Sequence, residues 1–392
     1  MTKTDKRPTA RPGVLLLLLA CATLTVMAGA TISPSLPGLK AHYADVPGAV
    51  ALVPLILTIP GLAIAVSAPL FGVLVDRVDA RKVLLGAILV YVVAGSSGLW
   101  LDGIVPILAG RVLLGAAVGA IMTSSTTLIA NIFTGPERGR VLGYQSSAMG
   151  FGGVVFILTG GLLADLSWRG PFAVYLAPLI LLPLVLRTIP ARAGAGSADG
   201  AVGAGFPLRL AVMVYLGAFC TFLIFYTIPT QLPFLMQVLG SPLASITGIA
   251  IALITLVSAL ASLGFGRLRE RVPGPVLGLA GFGMLAVAFA GMALAPSVWL
   301  IFVLGPFVGA ALGVIMPNLT TSLMTEVPLE MRGRAMGFLS MSIFLAQFLS
   351  AFTGAALVAL GGPRAAFWGG SILALCVALV VLLGRNGRRN AA

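Results

Sequence analysis

Long, uninterrupted runs of apolar residues recur along the whole chain and predict helices that cross a membrane. The runs are continuous rather than alternating, which excludes the two-residue period of a membrane β-barrel. A spanning helix needs about 20 mostly apolar residues, and twelve runs meet that length. The predicted spans are 14–36, 49–73, 83–101, 104–130, 141–163, 171–189, 208–235, 243–265, 276–295, 298–325, 335–360 and 366–384.

A stretch rich in glycine and alanine separates the sixth run from the seventh. Residues 190–206 read PARAGAGSADGAVGAGF, a composition typical of a flexible linker. Because the stretch lies at the middle of the chain, we expect two halves of six helices each. The predicted organisation is a tail over 1–13, a six-helix bundle over 14–189, a linker over 190–207, a second bundle over 208–384 and a tail over 385–392.

The two halves partly repeat one another. A shift of 194 residues aligns 72–78 (GVLVDRV) with 266–272 (GRLRERV), and 115–122 (GAAVGAIM) with 309–316 (GAALGVIM). Six spans in each half give both halves the same orientation. The pattern therefore predicts an all-α membrane protein whose 12 transmembrane helices form two pseudo-symmetric six-helix bundles, related by an axis along the membrane normal.

Composition excludes a soluble protein. The 392 residues are 59% hydrophobic and 9% charged, against about 25% charged residues in a soluble domain. The three cysteines lie in apolar runs and the chain has a single histidine, so we expect neither a disulfide framework nor a metal site.

The net charge of +13 is explained by topology. An even number of spans puts both termini on one side, and most of the 24 Lys and Arg residues fall in the loops of that side. The other side carries Lys40, Arg169 and Arg364. The positive-inside rule then places both termini in the cytoplasm, and nucleic acid is not needed as a partner to explain the charge.

The loop between the second and third spans carries a recognisable motif. Gly72-x-Leu74-x-Asp76-Arg77, followed by Arg81-Lys82, resembles the pattern G-x-L-x-D-R-x-G-R-[RK] of the major facilitator superfamily. Asp79 and Ala80 stand where the family usually has Gly and Arg. The resemblance covers essentially the whole chain and implies the major facilitator fold, in particular the 12-span drug/proton antiporter branch that exports drugs or sugars.

The same loop and its repeat are candidates for a cytoplasmic latch. Gly72 would let two helices approach closely, and Asp76 would face a helix N-terminus or pair with loop arginines. The alternative is a basic loop that only fixes orientation. The candidate latch residues are Gly72, Asp76, Arg77, Arg81, Arg138, Arg140, Glu270 and Arg271.

Arg111 is the one strongly charged residue well inside a span. An intramembrane arginine is costly and usually faces a cavity or a partner. Arg111-x3-Gly115-x3-Gly119 resembles the fourth-span motif of the family, which implies a part in proton coupling. The alternative is an arginine that caps backbone carbonyls of the first span.

The fifth span resembles the antiporter signature of drug exporters, with Phe156-Ile157 in place of its Gly-Pro pair. Glycine spacing of this kind also suits close helix packing. The glycines expected to pack are Gly115, Gly119, Gly152, Gly160 and Gly161.

Polar residues within the spans are candidates for the substrate and coupling site. They are Arg111, Tyr226, Asn318, Gln347, Thr25 and Gln231. Tyr226 and Gln231 flank Pro229, where a broken helix would free backbone groups for a substrate. The alternative is that these side chains only join helices by hydrogen bonds. Because no Asp or Glu lies deep in a span, we expect a neutral or anionic amphipathic substrate.

No nucleotide-binding loop or hydrolytic motif is present, so we expect no enzyme, no cofactor and a gradient, of protons in the first instance, as the energy source. The function predicted is secondary active transport by alternating access, with efflux of drug-like or sugar-like compounds. Gradient-driven uptake of an organic acid or other small metabolite stays open as the alternative. A receptor or a channel is disfavoured by the polar residues inside the spans and by the lack of charged rings.

Abundant Ala, Gly and Arg favour a bacterial inner membrane, with a small molecule and the lipid bilayer as partners and a monomer as the working unit.

Overall fold

The computed structural model describes residues 12–133, 135–189, 207–241, 243–328 and 331–389, and the regular structure in that part is helical. The first half contains α1 (Pro12–Ala30), α2 (Ala49–Arg77), α3 (Ala80–Gly95), α4 (Ile104–Ile132), α5 (Gly135–Leu166) and α6, which begins as a 3₁₀ segment (Gly170–Ile180) and continues as α-helix (Leu181–Thr188). The second half contains α7 (Leu208–Val238), α8 (Ala244–Arg271), α9 (Gly274–Ala293), α10 (Val298–Glu326) and a last helical element (Arg332–Arg389).

The last element is two helices joined at a bend. Its apolar stretch of 52 residues, Arg332–Leu383, would be about 78 Å long if straight, more than twice the roughly 30 Å hydrocarbon core. Gly361 and Gly362 leave helical geometry, and Gly362 has a φ of 69° that favours glycine. The bend separates α11 (332–360) from α12 (363–389). With ten other helices long and apolar enough to cross a membrane, the predicted twelve-helix, all-α fold is confirmed.

Several helices are longer than the apolar runs that predict them. α5 begins at Gly135, before the predicted start at 141, and α3 begins at Ala80, before the predicted start at 83. At α3 the Asp79 carboxylate accepts a hydrogen bond from the backbone N–H of Arg81 at 3.0 Å, which caps the helix. Polar first turns extend helices past the apolar run, so hydropathy alone underestimates their length.

The internal repeat corresponds to one packing contact made twice. Gly115 of α4 lies against the backbone of α2 at Pro60, and Gly119 lies against Ser67 of the same helix. In the second half, Gly309 and Gly313 of α10 lie against the α8 backbone at Ile254 and Ser258. A side chain at any of the four glycines would clash, so each pair permits a close helix crossing.

The side of the bundle where α6 ends and α7 begins is here named the linker side, and the other is the opposite side. Two of the three basic residues on the opposite side hold helix ends. Arg169 Nη1 donates to the carbonyls of Gly98 (2.9 Å) and Leu101 (3.2 Å). Arg364 donates to the carbonyls of Ala293 and Ala295, both at 2.9 Å. Arg169 thus caps the 3₁₀ turn that follows α3 (Ser96–Leu99), and Arg364 caps the C-terminal end of α9, where a cation is favoured.

Candidate functional site

A cavity of about 490 Å³ lies between the two halves, enclosed by α5, α7, α8 and α10. Hydroxyl side chains of α5 and α8 contribute to the lining, and large apolar side chains come from all four helices. Among the described residues that line the cavity, none is ionisable. The hydroxyl-bearing residues are Ser146, Ser147, Thr255, Ser258 and Ser262, and the apolar residues include Phe151, Phe222, Phe225 and Met316.

The linker-side end of the cavity is exposed. Gly143 of α5 and Ser262 and Leu263 of α8 line the cavity near the linker-side ends of these helices, and all three are exposed. A Cβ atom placed on Gly143 would meet nothing within 4 Å. The cavity is therefore open toward the linker side.

On the opposite side the halves are joined by hydrogen bonds. The Ser33 hydroxyl, in the segment after α1, donates to the carbonyl of Pro229 in α7 at 2.6 Å. That carbonyl lacks its usual helical partner because Pro233, four residues on, has no N–H. The Asp165 carboxylate at the end of α5 accepts from the N–H of Ala244 at 2.6 Å and of Ser245 at 3.3 Å, which caps the N-terminus of α8.

Two further contacts lie on the same side, one between the halves and one within the first half. Lys40 Nζ lies 5.3 Å from the ring centroid of Phe234 in α7, within cation–π range. The Tyr43 hydroxyl donates to the Asp102 carbonyl at 2.7 Å and ties two loops of the first half together. Burial raises the pKa of Tyr43 above its ordinary value, so this hydroxyl keeps its proton.

The glycines predicted to pack in the fifth span face two different helices. Gly152 and Gly160 lie against α1, at Thr23 and at the Thr31 backbone. Gly161 faces the second half, where a Cβ atom would lie 3.1 Å from the Ser245 Cα and 3.4 Å from the Gly248 Cα of α8. The α5–α8 crossing at Gly161 is thus a close contact between the halves, and it lies on the opposite side of the bundle.

The structure brings two of the predicted polar residues together at α1. A Cβ atom on Gly29 would lie 3.7 Å from both the Tyr226 Oη of α7 and the Gln347 Nε2 of α11. Tyr226 also lies beside two aromatic residues of the cavity lining, with ring centroids 6.2 Å from Phe222 and 5.4 Å from Phe225. Tyr226 and Gln347 therefore meet at α1, and Tyr226 contacts two residues of the cavity lining, although neither lines the cavity itself.

Arg111 is fully buried in the first half, outside the cavity lining. Its guanidinium carbon lies 4.7 Å from the ring centroids of both Phe172 and Tyr175 of α6. Nη2 donates to the Gly95 carbonyl at 3.4 Å, while Nε and Nη1 have no partner in the described part of the chain. The carbonyl that Arg111 contacts belongs to α3, and not to the first span as the capping alternative predicts.

The other predicted site residues lie elsewhere. Asn318 Nδ2 donates to the Gly274 carbonyl at 3.0 Å and so joins α10 to the start of α9. Gln231 is buried and, with Lys40, lines a second cavity of about 60 Å³ on the opposite side. Thr25 is half-buried in α1.

The predicted latch residues lie at linker-side helix ends. The side chains of Asp76 and Arg138 are outside the described part of the structure. Arg81 Nη2 donates to the Leu186 carbonyl at the end of α6, at 2.6 Å, within the first half. The remaining charged members are exposed: Arg77, Arg140, Glu270 and Arg271.

Sequence reasoning missed the hydroxyl-bearing residues that line the cavity. Thr255, Ser258 and Ser262 are spaced i, i+3 and i+7, which places them on one face of α8. That spacing was the available signal, but hydroxyl residues are common in membrane helices. Only the packing of α5 beside α8 shows that the two rows share a cavity.

Comparison with known proteins identifies a family. The family model described as Major Facilitator Superfamily matches residues 18–292 and 214–391. The tetracycline resistance protein, class C, of Escherichia coli is 31% identical over 163 residues, 40% of this chain and 40% of that protein. Multidrug resistance protein MdtG of Klebsiella pneumoniae (strain 342) is 28% identical over 193 residues, 48% of this chain and 46% of that protein. Each match spans less than half the length of the relative.

Solved structures extend the likeness to the whole fold. A bacterial homologue of the human lysosomal transporter Spinster, in an inward-facing and occupied conformation, superposes with a TM-score of 0.81 at 16% identity, over 96% of this chain and 97% of that one. A D-xylose–proton symporter superposes with a TM-score of 0.80 at 19% identity, over 95% and 97%. At these identities the likeness establishes the architecture.

Proposed function

The chain belongs to the major facilitator superfamily, and we propose that it is a secondary active transporter that exports small amphipathic, drug-like or sugar-like compounds. Membership of this family indicates a membrane transporter rather than an enzyme. Export is favoured over uptake by the resistance proteins among the relatives. The absence of a charged group among the described cavity-lining residues disfavours an organic acid.

The observation that carries the proposal is a cavity between the halves that is accessible from one side and closed on the other. Ser33, Asp165 and Gly161 join the halves on the opposite side, while the cavity-lining residues Gly143, Ser262 and Leu263 are exposed toward the linker side. Rocking of the halves about the cavity would exchange the open and closed sides. In the exchanged state Gly72 and Gly143 would permit close helix contacts, and the loops of Asp76 and Glu270 would latch the linker side.

The substrate is proposed to pass from the cavity to Tyr226 and Gln347. Both side chains belong to the second half and adjoin Gly29 of α1 in the first half, so movement of the halves relative to each other would change their distances from α1. The linker side is proposed to face the bacterial cytoplasm, because the basic loops lie there. The protein would act as a monomer in the inner membrane, need no cofactor, and draw energy from the proton gradient.

The test uses everted membrane vesicles, energised to an acid interior and reported by a pH-sensitive dye. Lipophilic drugs, sugars and organic acids are added one at a time. We expect at least one drug or sugar to restore dye fluorescence through exchange with protons. Gln347→Ala should reduce that signal at least tenfold, whereas Thr353→Val, an exposed position on the same helix, should retain it. Absence of a response to every compound, with no flux of any labelled compound, would contradict the proposal.

A further inference from the structure

The cavity lining combines hydroxyl groups with large apolar side chains. The hydroxyl stripe, defined as Ser146, Ser147, Thr255, Ser258 and Ser262, runs along α5 and α8. Thr255 and Ser262 are seven residues apart, about 10 Å along a helix. Phe151, Phe222, Phe225 and Met316 supply large apolar surfaces to the same cavity. A complementary ligand would have both polar and apolar parts.

The stripe presents oxygen lone pairs to the cavity. The Ser146 and Ser147 hydroxyls donate to the carbonyls four residues earlier, both at 3.2 Å. Thr255 donates to the Ile251 carbonyl at 2.9 Å, and Ser262 donates to the Gly313 carbonyl of α10 at 3.1 Å. Since each hydroxyl has one proton, which these bonds use, the four oxygens remain as acceptors. A complementary ligand must supply O–H or N–H donors.

Ser258 differs from its neighbours. In the described part of the chain its hydroxyl makes no hydrogen bond, so its proton is available to a ligand, as are its lone pairs. The stripe therefore consists of four acceptors and one hydroxyl that can both donate and accept. This pattern suits a ligand with several hydroxyl groups better than a ligand whose polar groups only accept hydrogen bonds.

No ionisable side chain occurs among the described residues that line the cavity. An ion that left water for this space would lose its hydration without gaining a counter-ion, which is unfavourable. Arg111 does not compensate, because Phe172 and Tyr175 enclose its guanidinium within the first half.

We propose that the substrate is an uncharged molecule with an apolar face and several hydroxyl donors, such as an aryl glycoside. Its apolar face packs on Phe222, Phe225 and Met316, and its hydroxyls donate to the stripe. The volume of about 490 Å³ lies in the range of small-molecule sites. This assignment rests on the proposed function only in taking the cavity as the path of the substrate.

The test measures binding to the purified full-length protein in lipid nanodiscs by calorimetry. Three probes share an apolar ring and differ in charge: phenyl β-D-glucoside, phenyl phosphate and benzyltrimethylammonium. We expect the glucoside alone to bind. Thr255→Val and Ser258→Ala should each raise its Kd about three- to tenfold, the loss expected for one neutral hydrogen bond. Thr353→Val makes the same replacement at an exposed position outside the cavity and should leave the Kd unchanged.

The proposal is overturned if a charged probe binds as tightly as the glucoside, if none of the probes binds, or if Thr255→Val and Ser258→Ala leave the Kd unchanged. Binding requires no gradient and no flux, so it separates this proposal from the transport function. Glucoside binding without transport of any compound would contradict the proposed function and leave the substrate class standing. Transport of organic ions alone would support the transport function and contradict the substrate class.

Discussion

The Arg111 guanidinium lies 4.7 Å from the ring centroid of Tyr175, and the Tyr175 hydroxyl reaches the carbonyls of Met27 (3.1 Å) and Ala28 (3.0 Å). Both carbonyls lie in the last turn of α1, which ends at Ala30. The next residue along, Gly29, is the one that Tyr226 and Gln347 adjoin. Arg111 is thereby connected through Tyr175 to the Tyr226–Gln347 pair, although it lies outside the cavity lining.

Tyr175→Phe keeps the ring under Arg111 but removes the hydroxyl that holds the end of α1. We expect half-maximal transport to require about three- to tenfold more substrate, because one buried hydrogen bond is lost next to the Tyr226–Gln347 pair. Flux measured against concentration gives the result. Tyr91→Phe is the matched control, since the buried Tyr91 hydroxyl donates at 2.9 Å to Leu24, in the regular part of α1. Equal effects of the two replacements would contradict a specific role at the end of α1.

Arg111→Met should separate stability from transport. Two guanidinium nitrogens have no hydrogen-bond partner in the described part of the chain, and burying a charge without full hydrogen bonding is unfavourable for stability. We expect a higher apparent melting temperature in nanodiscs together with a loss of transport, because Tyr175 is no longer positioned. A lower melting temperature would mean that the guanidinium stabilises the fold.

Asp165→Ala should loosen the opposite side, since α8 loses its N-terminal cap from the other half. A cap contributes about 0.5–2 kcal/mol. Its loss would raise the ratio of the state open on the opposite side to the state closed there by roughly two- to thirtyfold. The measurement is the rate at which a thiol reagent labels Val358→Cys in a variant that lacks the native cysteines. Val358 lines the small cavity on the opposite side. Asp102→Ala removes an acid that pairs with Arg169 inside the first half and should leave the rate unchanged. A similar rise in both variants would refute the inter-half role of Asp165.

The bond from Ser33 to Pro229 can be tested by restoring the missing helical donor. Ser33→Ala alone should speed labelling of Val358→Cys about fivefold, as expected for a bond of roughly 1 kcal/mol. Pro233→Ala supplies a backbone N–H for the Pro229 carbonyl, so Ser33→Ala added to it should change the rate less than twofold. If the two replacements act independently, the Pro229 carbonyl is not the group that Ser33 satisfies.

The sequence predicts the parts of this fold that the bilayer dictates, because a spanning helix must be long, continuous and apolar. Gly115 and Gly119 could be assigned to helix packing because the repeat places Gly309 and Gly313 at equivalent positions. The surroundings of Arg111 and Asn318 could not be predicted. Hydropathy places a residue within a span, but the direction of its side chain depends on helices far away in the chain, α6 for Arg111 and α9 for Asn318.

Alternation between a linker-side-open and a linker-side-closed state is the central claim, and one distance measures it directly. Spin labels at Tyr144→Cys on α5 and Arg267→Cys on α8, both exposed on the linker side, report the separation of the halves by double electron–electron resonance in nanodiscs. We predict a long distance at rest and a second, shorter one that grows on addition of a compound active in the vesicle assay. Gly143→Leu, which fills space needed for closure, should suppress the shorter distance. A single distance, unchanged by a compound that the same protein transports, would contradict the account.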